Sequence, residues 1–344
     1  MSTTSFAVLA KARAKYGKQL TDRDYSNLVA CQSVAEVMVY LKSHTHFATA
    51  LAEINERDVH RGRLEMLLRQ EFFNELDTLC HYDSSVSAGF STYVVQKTEV
   101  EQIIRFLILL NSNSTEKFIF QFPAFFAKHT ELDINRLANA RNYDEVLGSL
   151  ARTPYYNILK NFHPDAKGRL PVSNIENKLY DFVNANISTI ILKNAKGQEH
   201  RQLQKLFQTI RDYFVFSQIT RLKHYFDLPA DMIKSNILTE YTSISPRLID
   251  RMCKAESSAE IFQIMQTTGC GRLISKIGYS HASDITPRIK HRIAKKYIHF
   301  SNYPSVVMIS YSFLAETELT NVISMIEGVR YQLDKTTIQS LLIR

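Results

Sequence analysis

A few residues of this sequence have the types and spacing that chemistry requires, and phosphate binding is the first to consider. The stretch "ARAKYGK", residues 12–18, ends with the glycine and lysine of a phosphate-binding loop. Such a loop also needs glycine at its first position and Ser or Thr after the lysine, where this chain has Ala12 and Gln19. The stretch "TGCGRL" from Thr268 has two glycines, one fewer than a dinucleotide fingerprint. Neither stretch predicts a nucleotide site.

Histidine and cysteine side chains are the next candidates for catalysis or metal binding. His44 and His46 reach one metal ion only from an extended segment, because positions i and i+2 of a helix face different sides. We interpret them as a turn with two exposed histidines. A hydrolase built on Cys270, His163 or His281 needs a positioned partner that the sequence does not supply. We therefore expect no catalytic residue, no metal site and no cofactor.

The composition favours long helices and argues against a membrane span. The 344 residues include 10 glycines and 8 prolines, and residues 1–122 contain no proline. The longest apolar stretches, "IIRFLILL" from Ile103 and "YPSVVMISYSFLA" from Tyr303, are shorter than the roughly 18 to 20 residues that cross a bilayer. The four cysteines form no C-x-x-C pair, so they predict neither a disulfide framework nor a zinc site. A reducing cytoplasm is the expected compartment.

The net charge of +8 is spread along the chain. It is compatible with an acidic partner or an anionic membrane surface nearby, and equally with simple solubility. The basic clusters "AKARAKYGK" from Ala10 and "RIKHRIAKK" from Arg288 have helical spacing and no accompanying nucleic-acid motif, which favours solvated helix faces. A helical nucleic-acid-binding or scaffold protein stays open as the alternative function. A nucleic-acid binder predicts affinity that falls steeply with salt.

Three related segments recur along the chain: "SVAEVMVYL" from Ser33, "NYDEVLGSL" from Asn142 and "SSAEIFQIM" from Ser257. Each begins with a helix-capping residue and has glutamate three residues later, the pattern of a capping box. Apolar residues stand at the same distances from each glutamate: eleven and eight residues before it, and one, two and five after it. The pattern predicts a short helix, a cap, a second short helix and a turn, three times.

A longer apolar pattern follows each copy, opening near Leu64, Ile175 and Ile289, and predicts a long helix there. The best strand candidates, "STYVVQ" and "SVVMIS", are explained equally well by helices. We therefore expect an all-α chain of three similar helical units, residues 1–110, 111–225 and 226–344. These boundaries are approximate because helices of neighbouring units interleave.

The last stretch, "FLAETELTNVISMIEGVRYQLDKTTIQSLL" from Phe313, resembles the C terminus of the C subunit of archaeal and bacterial V-type (A-type) rotary ATPases, the equivalent of the d subunit of eukaryotic V-ATPases. That family has an acidic helix reading roughly E-x-x-N-[LIV]-x-x-I-x-x-G-x-[RK], a short loop and a last helix. Glu318, Asn321, Gly328 and Arg330 match it, whereas the hydrophobic residue before the glycine is shifted. The stretch "AKARAKYGKQLTDRDYSNLVACQSVAEVMVYL" is similar to the family's opening helices.

The resemblance covers essentially the whole chain and implies both a shape and a role. The shape is a funnel or cup of three similar helical units about a pseudo-threefold axis. The role is that of a non-catalytic rotor subunit, which couples the central-stalk subunits to the membrane rotor (proteolipid) ring and transmits torque between ATP chemistry and ion transport. It implies a peripheral position on the cytoplasmic face of the membrane, without a membrane span or a nucleic-acid partner. The turns "HTHF" from His44 and "TGCG" from Thr268 depart from the family's T-x-Y turn, which "TPYY" from Thr153 keeps.

A cup that receives a helical stalk needs a polar inner surface, because an exposed apolar hollow favours aggregation. Helix-borne arginines are therefore the candidates for partner contacts, since their planar guanidinium suits carboxylates. We expect at least two of five to line the cup or its ring-facing base. The candidates are Arg13, Arg152, Arg201, Arg211 and Arg330.

Overall fold

The computed structural model describes residues 3–55, 59–80, 84–115, 129–237, 241–269, 271–274 and 282–344. Across these ranges the regular structure is helical and contains no strand. A 3₁₀ turn, His46–Ala48, and a π-helical turn, Ser188–Leu192, follow the third and ninth helices. The α-helices are α1 (Thr3–Tyr16), α2 (Asp22–Ala30), α3 (Val34–His44), α4 (Arg61–Cys80), α5 (Ser84–Asn111), α6 (Ile134–Ala138), α7 (Tyr143–Ser149), α8 (Tyr155–Leu159), α9 (Val172–Ile187), α10 (Gly197–Phe226), α11 (Ala230–Asn236), α12 (Pro246–Lys254), α13 (Ser258–Gln266), α14 (Gly271–Ile274), α15 (Ala282–Phe300), α16 (Pro304–Arg330) and α17 (Lys335–Leu341).

In all three predicted capping boxes the cap itself is confirmed, and the glutamate departs from the prediction in the same way. Ser33, Asn142 and Ser257 accept the backbone N–H of the glutamate three residues later, at 3.1, 2.9 and 3.2 Å. Each glutamate carboxylate accepts the N–H of the residue before the cap, at 2.8, 2.7 and 2.9 Å. The carboxylate therefore reaches one residue further back than in the usual capping box. These contacts start α3, α7 and α13.

The long helices predicted after each copy are also present. They are α4, α9 and α15, and Leu64, Ile175 and Ile289 are completely buried in them. The third helix begins earlier than the apolar pattern indicates. It starts at Ala282, so that Pro287 and Ile289 both lie inside it.

Buried apolar side chains form four clusters, and three of these have the same make-up. Each of the three combines the C-terminal half of one long helix with a pair of short helices and the next long helix. The first cluster contains α16, α2, α3 and α4; the second contains α5, α6, α7 and α9; the third contains α10, α12, α13 and α15. The fourth cluster joins α1 to the remaining halves of α4, α5, α10, α15 and α16 and to Ile187 at the end of α9. The last long helix, α16, therefore completes the first cluster and packs the C-terminal part of the chain against the N-terminal part.

The three long helices α5, α10 and α16 also end alike. Shortly after each end, a residue other than glycine has a left-handed backbone: Asn113 at φ 50°, Asp227 at φ 44° and Gln332 at φ 54°. The N–H of the following residue donates back to a carbonyl near the helix end, at 2.9, 3.3 and 2.9 Å. This is the usual way for a left-handed residue to satisfy the last carbonyls of a helix.

Residues of the C-terminal sequence motif hold the final helix, α17, and the residues after it. The Asn321 amide donates to the Ile343 carbonyl and accepts the Ile343 N–H, both at 2.8 Å. Gly328 lets α17 approach α16 closely, because a Cβ there would lie 2.7 Å from Cγ1 of Ile338. Asn321 and Gly328 therefore have structural roles in closing the first cluster.

We expect Gly328→Ala to lower the free energy of unfolding by about 1–3 kcal/mol, because the added methyl group overlaps Ile338. The matched control is Gly62, in the first turn of α4, where a Cβ would meet no heavy atom within 4 Å. Gly62→Ala should raise the same quantity by about 0.5 kcal/mol by restricting the unfolded chain. Urea unfolding measures both, and a neutral or stabilising Gly328→Ala would contradict the close packing of α17.

Candidate functional site

Each of the long helices α5, α10 and α16 carries one buried carboxylate. It lies where the segment that leads into one of the three repeated helix pairs packs against the long helix. Glu99, Asp212 and Glu318 are 4, 0 and 5% exposed. Each precedes buried apolar residues at the same positions, one, four and seven residues further on. Each accepts a backbone N–H from the segment that leads into the copy, at 3.1, 2.7 and 2.6 Å. The donors are, in that order, Glu131, Ser243 and Leu20.

In two copies the turn after the second short helix contacts the same carboxylate. The Tyr155 hydroxyl donates to Glu99 at 2.5 Å, and Nε2 of His46 lies 3.1 Å from Glu318. Tyr155 and His46 occupy equivalent positions, each ten residues after the glutamate of its capping box. The third equivalent, Cys270, lies outside the described residues. His46 therefore takes the structural place of the tyrosine in the T-x-Y turn, and we call each buried carboxylate with its donors a latch.

Burial and hydrogen bonding compete in setting the pKa values of the latch residues. Burial raises the pKa of Glu99, and the hydrogen bonds from Tyr155, Thr130 and Glu131 oppose it only in part. Burial disfavours the charged form of His46, but the adjacent Glu318 outweighs it and raises the pKa of the imidazole. The latch of Glu318 therefore contains a histidine whose pKa is raised by its carboxylate. The latch of Glu99 contains Tyr155 instead, whose pKa burial raises above the ordinary tyrosine value.

A cavity of about 420 Å³ lies between α5, α9, α10, α15 and α16. Its wall combines aromatic and charged side chains. The aromatic ones are Tyr93, Tyr180, Phe207, Phe214 and Phe313. The charged ones are Lys97, Glu101, Arg211, Lys290 and Glu316. A second cavity, of about 250 Å³, shares Lys97 and Glu316 with the first, so this pair lies between the two cavities. We call the larger one the central cavity because five long helices line it.

Glu316 on α16 binds two lysines from two other helices. Its Oε2 accepts a hydrogen bond from Lys290 of α15 at 2.6 Å, and its Oε1 accepts one from Lys97 of α5. Burial opposes ionisation of Glu316, but the two ammonium groups together lower its pKa. Burial and the like charge of Lys97 lower the pKa of Lys290. The long helices of different clusters are thus joined by charge as well as by apolar packing.

Two of the five candidate arginines are bound within the chain. Arg211 lines the central cavity and donates to Asp181 at 2.8 Å. Arg13 of α1 donates to the carbonyls of Ile298 and Ser301 at the end of α15, at 2.8 and 2.6 Å. Both side chains therefore contribute to the fold.

The other three candidate arginines are exposed and lie on separate elements. Arg152 is in the turn after α7, Arg201 is near the start of α10, and Arg330 ends α16. Arg330 lies 3.5 Å from Glu327 and against the ring of Tyr331. The structure therefore does not bring the five arginines together, and their role in partner contacts stays a prediction.

The remaining chemical candidates lie on separate elements or outside the described residues. His44 is exposed and stacks on Tyr40, but the prediction of exposure is wrong for His46, whose side chain is 12% exposed in its latch. His163 is exposed in the loop after α8. His281 lies, like Cys270, outside the described residues.

Among the described residues, no group of His, Cys, Asp and Glu could hold a metal ion. No helix among them is long and apolar enough to cross a membrane.

The latches were missed by the sequence interpretation, although a signal for them exists. The same apolar spacing follows Glu99, Asp212 and Glu318, so extending the repeat to the long helices would have aligned the three acids. A single acid in an apolar helical pattern does not stand out by itself. Only its recurrence in three helices distinguishes it from an exposed carboxylate.

Comparison with known proteins agrees with the resemblance found at the two ends of the sequence. A family model described as ATP synthase (C/AC39) subunit matches residues 8–341. The matched range includes all three capping boxes, all three latches and every lining residue of the central cavity except Ile343. No curated protein matches the chain. Because the family model matches nearly the whole sequence, the chain belongs to the ATP synthase (C/AC39) subunit family.

Proposed function

We propose that this protein is a non-catalytic rotor subunit of a V/A-type rotary ATPase. It couples the central-stalk subunits to the membrane rotor ring and transmits torque between ATP chemistry and ion transport. It does so from the cytoplasmic face of the membrane as a peripheral subunit. The observation that carries the proposal is the match of the ATP synthase (C/AC39) subunit model to residues 8–341.

The core organisation supports a mechanical role. Three clusters have the same make-up, a fourth contains other parts of the same long helices, and the last long helix completes the first cluster. In our proposal these clusters are the three helical units, approximately residues 1–110, 111–225 and 226–344, arranged about a pseudo-threefold axis as a funnel or cup. Part of α16 then belongs to the first unit. A closed arrangement of packed helices resists torsion because twisting it must shear several apolar interfaces at once.

Co-purification from native membranes tests the function directly. A tagged chain, expressed in its source cells, should bring down the central-stalk subunits and the proteolipid ring together. Mass spectrometry identifies the neighbours, and a crosslinker of short span reports which of them contact the chain. Recovery of neither the stalk nor the ring from membranes that contain an active ATPase would refute the proposal.

Charge reversal of exposed arginines tests the partner surface. We expect at least one of Arg152→Glu, Arg201→Glu and Arg330→Glu to weaken association with the stalk or the ring by about 1 kcal/mol, or about fivefold. The isolated chain should keep its helical content and unfolding midpoint. Arg13→Glu and Arg211→Glu are less informative, because loss of their internal hydrogen bonds disturbs the fold itself. Unchanged association of all three exposed variants at physiological salt would remove these arginines from the interface.

A further inference from the structure

The carboxylates in the central cavity are shared unevenly between its two lysines. Two ammonium groups, on Lys97 and Lys290, share the single carboxylate of Glu316. The next carboxylate, on Glu101, lies 3.6 Å from Lys97 and is 41% exposed, so solvent screens it more strongly. Arg211 is paired with Asp181 and does not change the balance. Lys97 therefore pairs with two carboxylates, whereas Lys290 pairs only with Glu316, which it shares with Lys97.

Lys290 is therefore the lysine that can accept a further anion. One hydrogen bond of its ammonium goes to Glu316, and the ammonium lies 4.4 Å from the centre of the Phe313 ring. An ammonium has three N–H donors, so donors of Lys290 are left for a ligand. Its side chain is 19% exposed, which leaves it accessible from the cavity. Its lowered pKa has the same origin, since burial and Lys97 disfavour the charge more than Glu316 favours it.

The rest of the cavity wall suits an apolar group. Tyr93, Tyr180, Phe207 and Phe214 line it together with Phe313. The volume of about 420 Å³ falls within the range of about 300–1,000 Å³ that is typical of small-ligand sites. It is too small for a helix but large enough for an aromatic or aliphatic group with one charged end.

We propose that the central cavity binds a monocarboxylate with an aromatic or aliphatic body, its carboxylate on Lys290 and its body against the aromatic wall. The ligand carboxylate would give Lys290 a second carboxylate partner, as Lys97 already has in Glu101. A dianion such as phosphate would leave an excess negative charge in a half-buried site. The carboxylate is either that of a free small molecule or that of an acidic side chain on a partner protein.

The probe is 2-naphthoate, compared with 2-naphthalenemethanol, a neutral analogue of similar shape. The full chain, labelled with ¹³C at lysine, is titrated with each and followed by NMR. We expect naphthoate to bind at least tenfold more tightly than the alcohol and to raise the pKa of Lys290. Lys290→Met should weaken naphthoate binding at least tenfold. The control Lys296→Met, at an exposed position on the same helix, should leave it unchanged.

A second variant tests the charge balance in the opposite direction. Glu101→Gln removes the competing carboxylate at an exposed position and should tighten naphthoate binding about threefold or more. The proposal would be overturned if the protein bound naphthoate and the alcohol with equal affinity. It would also be overturned if Glu101→Gln bound naphthoate no more tightly than the unchanged protein does. Both outcomes can be measured even if Lys290→Met fails to fold. In the assembled complex, exclusion of the probe would support an acidic side chain of a partner as the natural occupant. Undiminished binding there would support a free carboxylate.

Discussion

Glu99→Ala is expected to lower the free energy of unfolding of the second cluster by about 2–4 kcal/mol. The Tyr155 side chain is completely buried, and its hydroxyl donates to Glu99 at 2.5 Å. The Thr130 hydroxyl and the N–H of Glu131 donate to the same carboxylate, at 2.7 and 3.1 Å. Alanine removes the common acceptor, and a buried donor without a partner costs about 1–3 kcal/mol. Urea unfolding and hydrogen exchange of residues 129–160 measure the loss.

A double-mutant cycle separates the latch from the general cost of changing a buried residue. Tyr155→Phe alone should cost about 1–2 kcal/mol. Combined with Glu99→Ala it should cost less than the sum, because the buried hydroxyl that lacked an acceptor is gone. Glu131→Ala is the matched control, since its exposed side chain acts on Glu99 only through its charge, while the backbone N–H that donates to Glu99 remains. Strict additivity of Glu99→Ala and Tyr155→Phe would show that the two groups do not interact.

The first cluster is expected to lose about 1–2 kcal/mol of stability as the pH rises through the folded-state pKa of His46. The pKa of His46 is raised because Glu318, helped by the more distant Glu75 and Glu71, outweighs burial. A group whose pKa is higher in the folded state stabilises that state most below its unfolded pKa, near 6.5. The stabilisation is therefore complete below about pH 6.5 and disappears above the folded pKa. Hydrogen exchange of residues 18–48 across this range measures it.

The second copy supplies the matched variant for this test. Tyr155 occupies the position equivalent to His46, and its pKa is raised above the ordinary tyrosine value. His46→Tyr should therefore keep a hydrogen bond to Glu318 and abolish the pH dependence between pH 6 and 9. Residues 129–160 of the unchanged protein provide an internal control without such a dependence. An equal loss of protection in both copies on raising the pH would exclude His46 as the cause.

Local sequence was sufficient for the repeated helices. A capping residue and its glutamate are three residues apart, so Ser33 and Glu36 can find each other whatever the rest of the chain does. The same holds for Asn142 with Glu145 and for Ser257. The apolar spacing around each glutamate then identifies the buried face of a short helix. Together with the resemblance at the chain ends, this allowed the all-α class, the repeated segments and the family to be predicted.

The sequence by itself therefore determined which segments form helices and that one helix pattern occurs three times. Only the tertiary structure decided which acids are buried, which helix completes each cluster and where the cavities lie. Glu318 meets the N–H of Leu20 across 298 residues, and Lys97 meets Glu316 across 219. Such contacts have no local sequence signature. The sequence around a carboxylate on a helix is the same whether the side chain faces water or a lysine of a distant helix. His46 shows the same limit, since its burial depends on a helix near the other end of the chain.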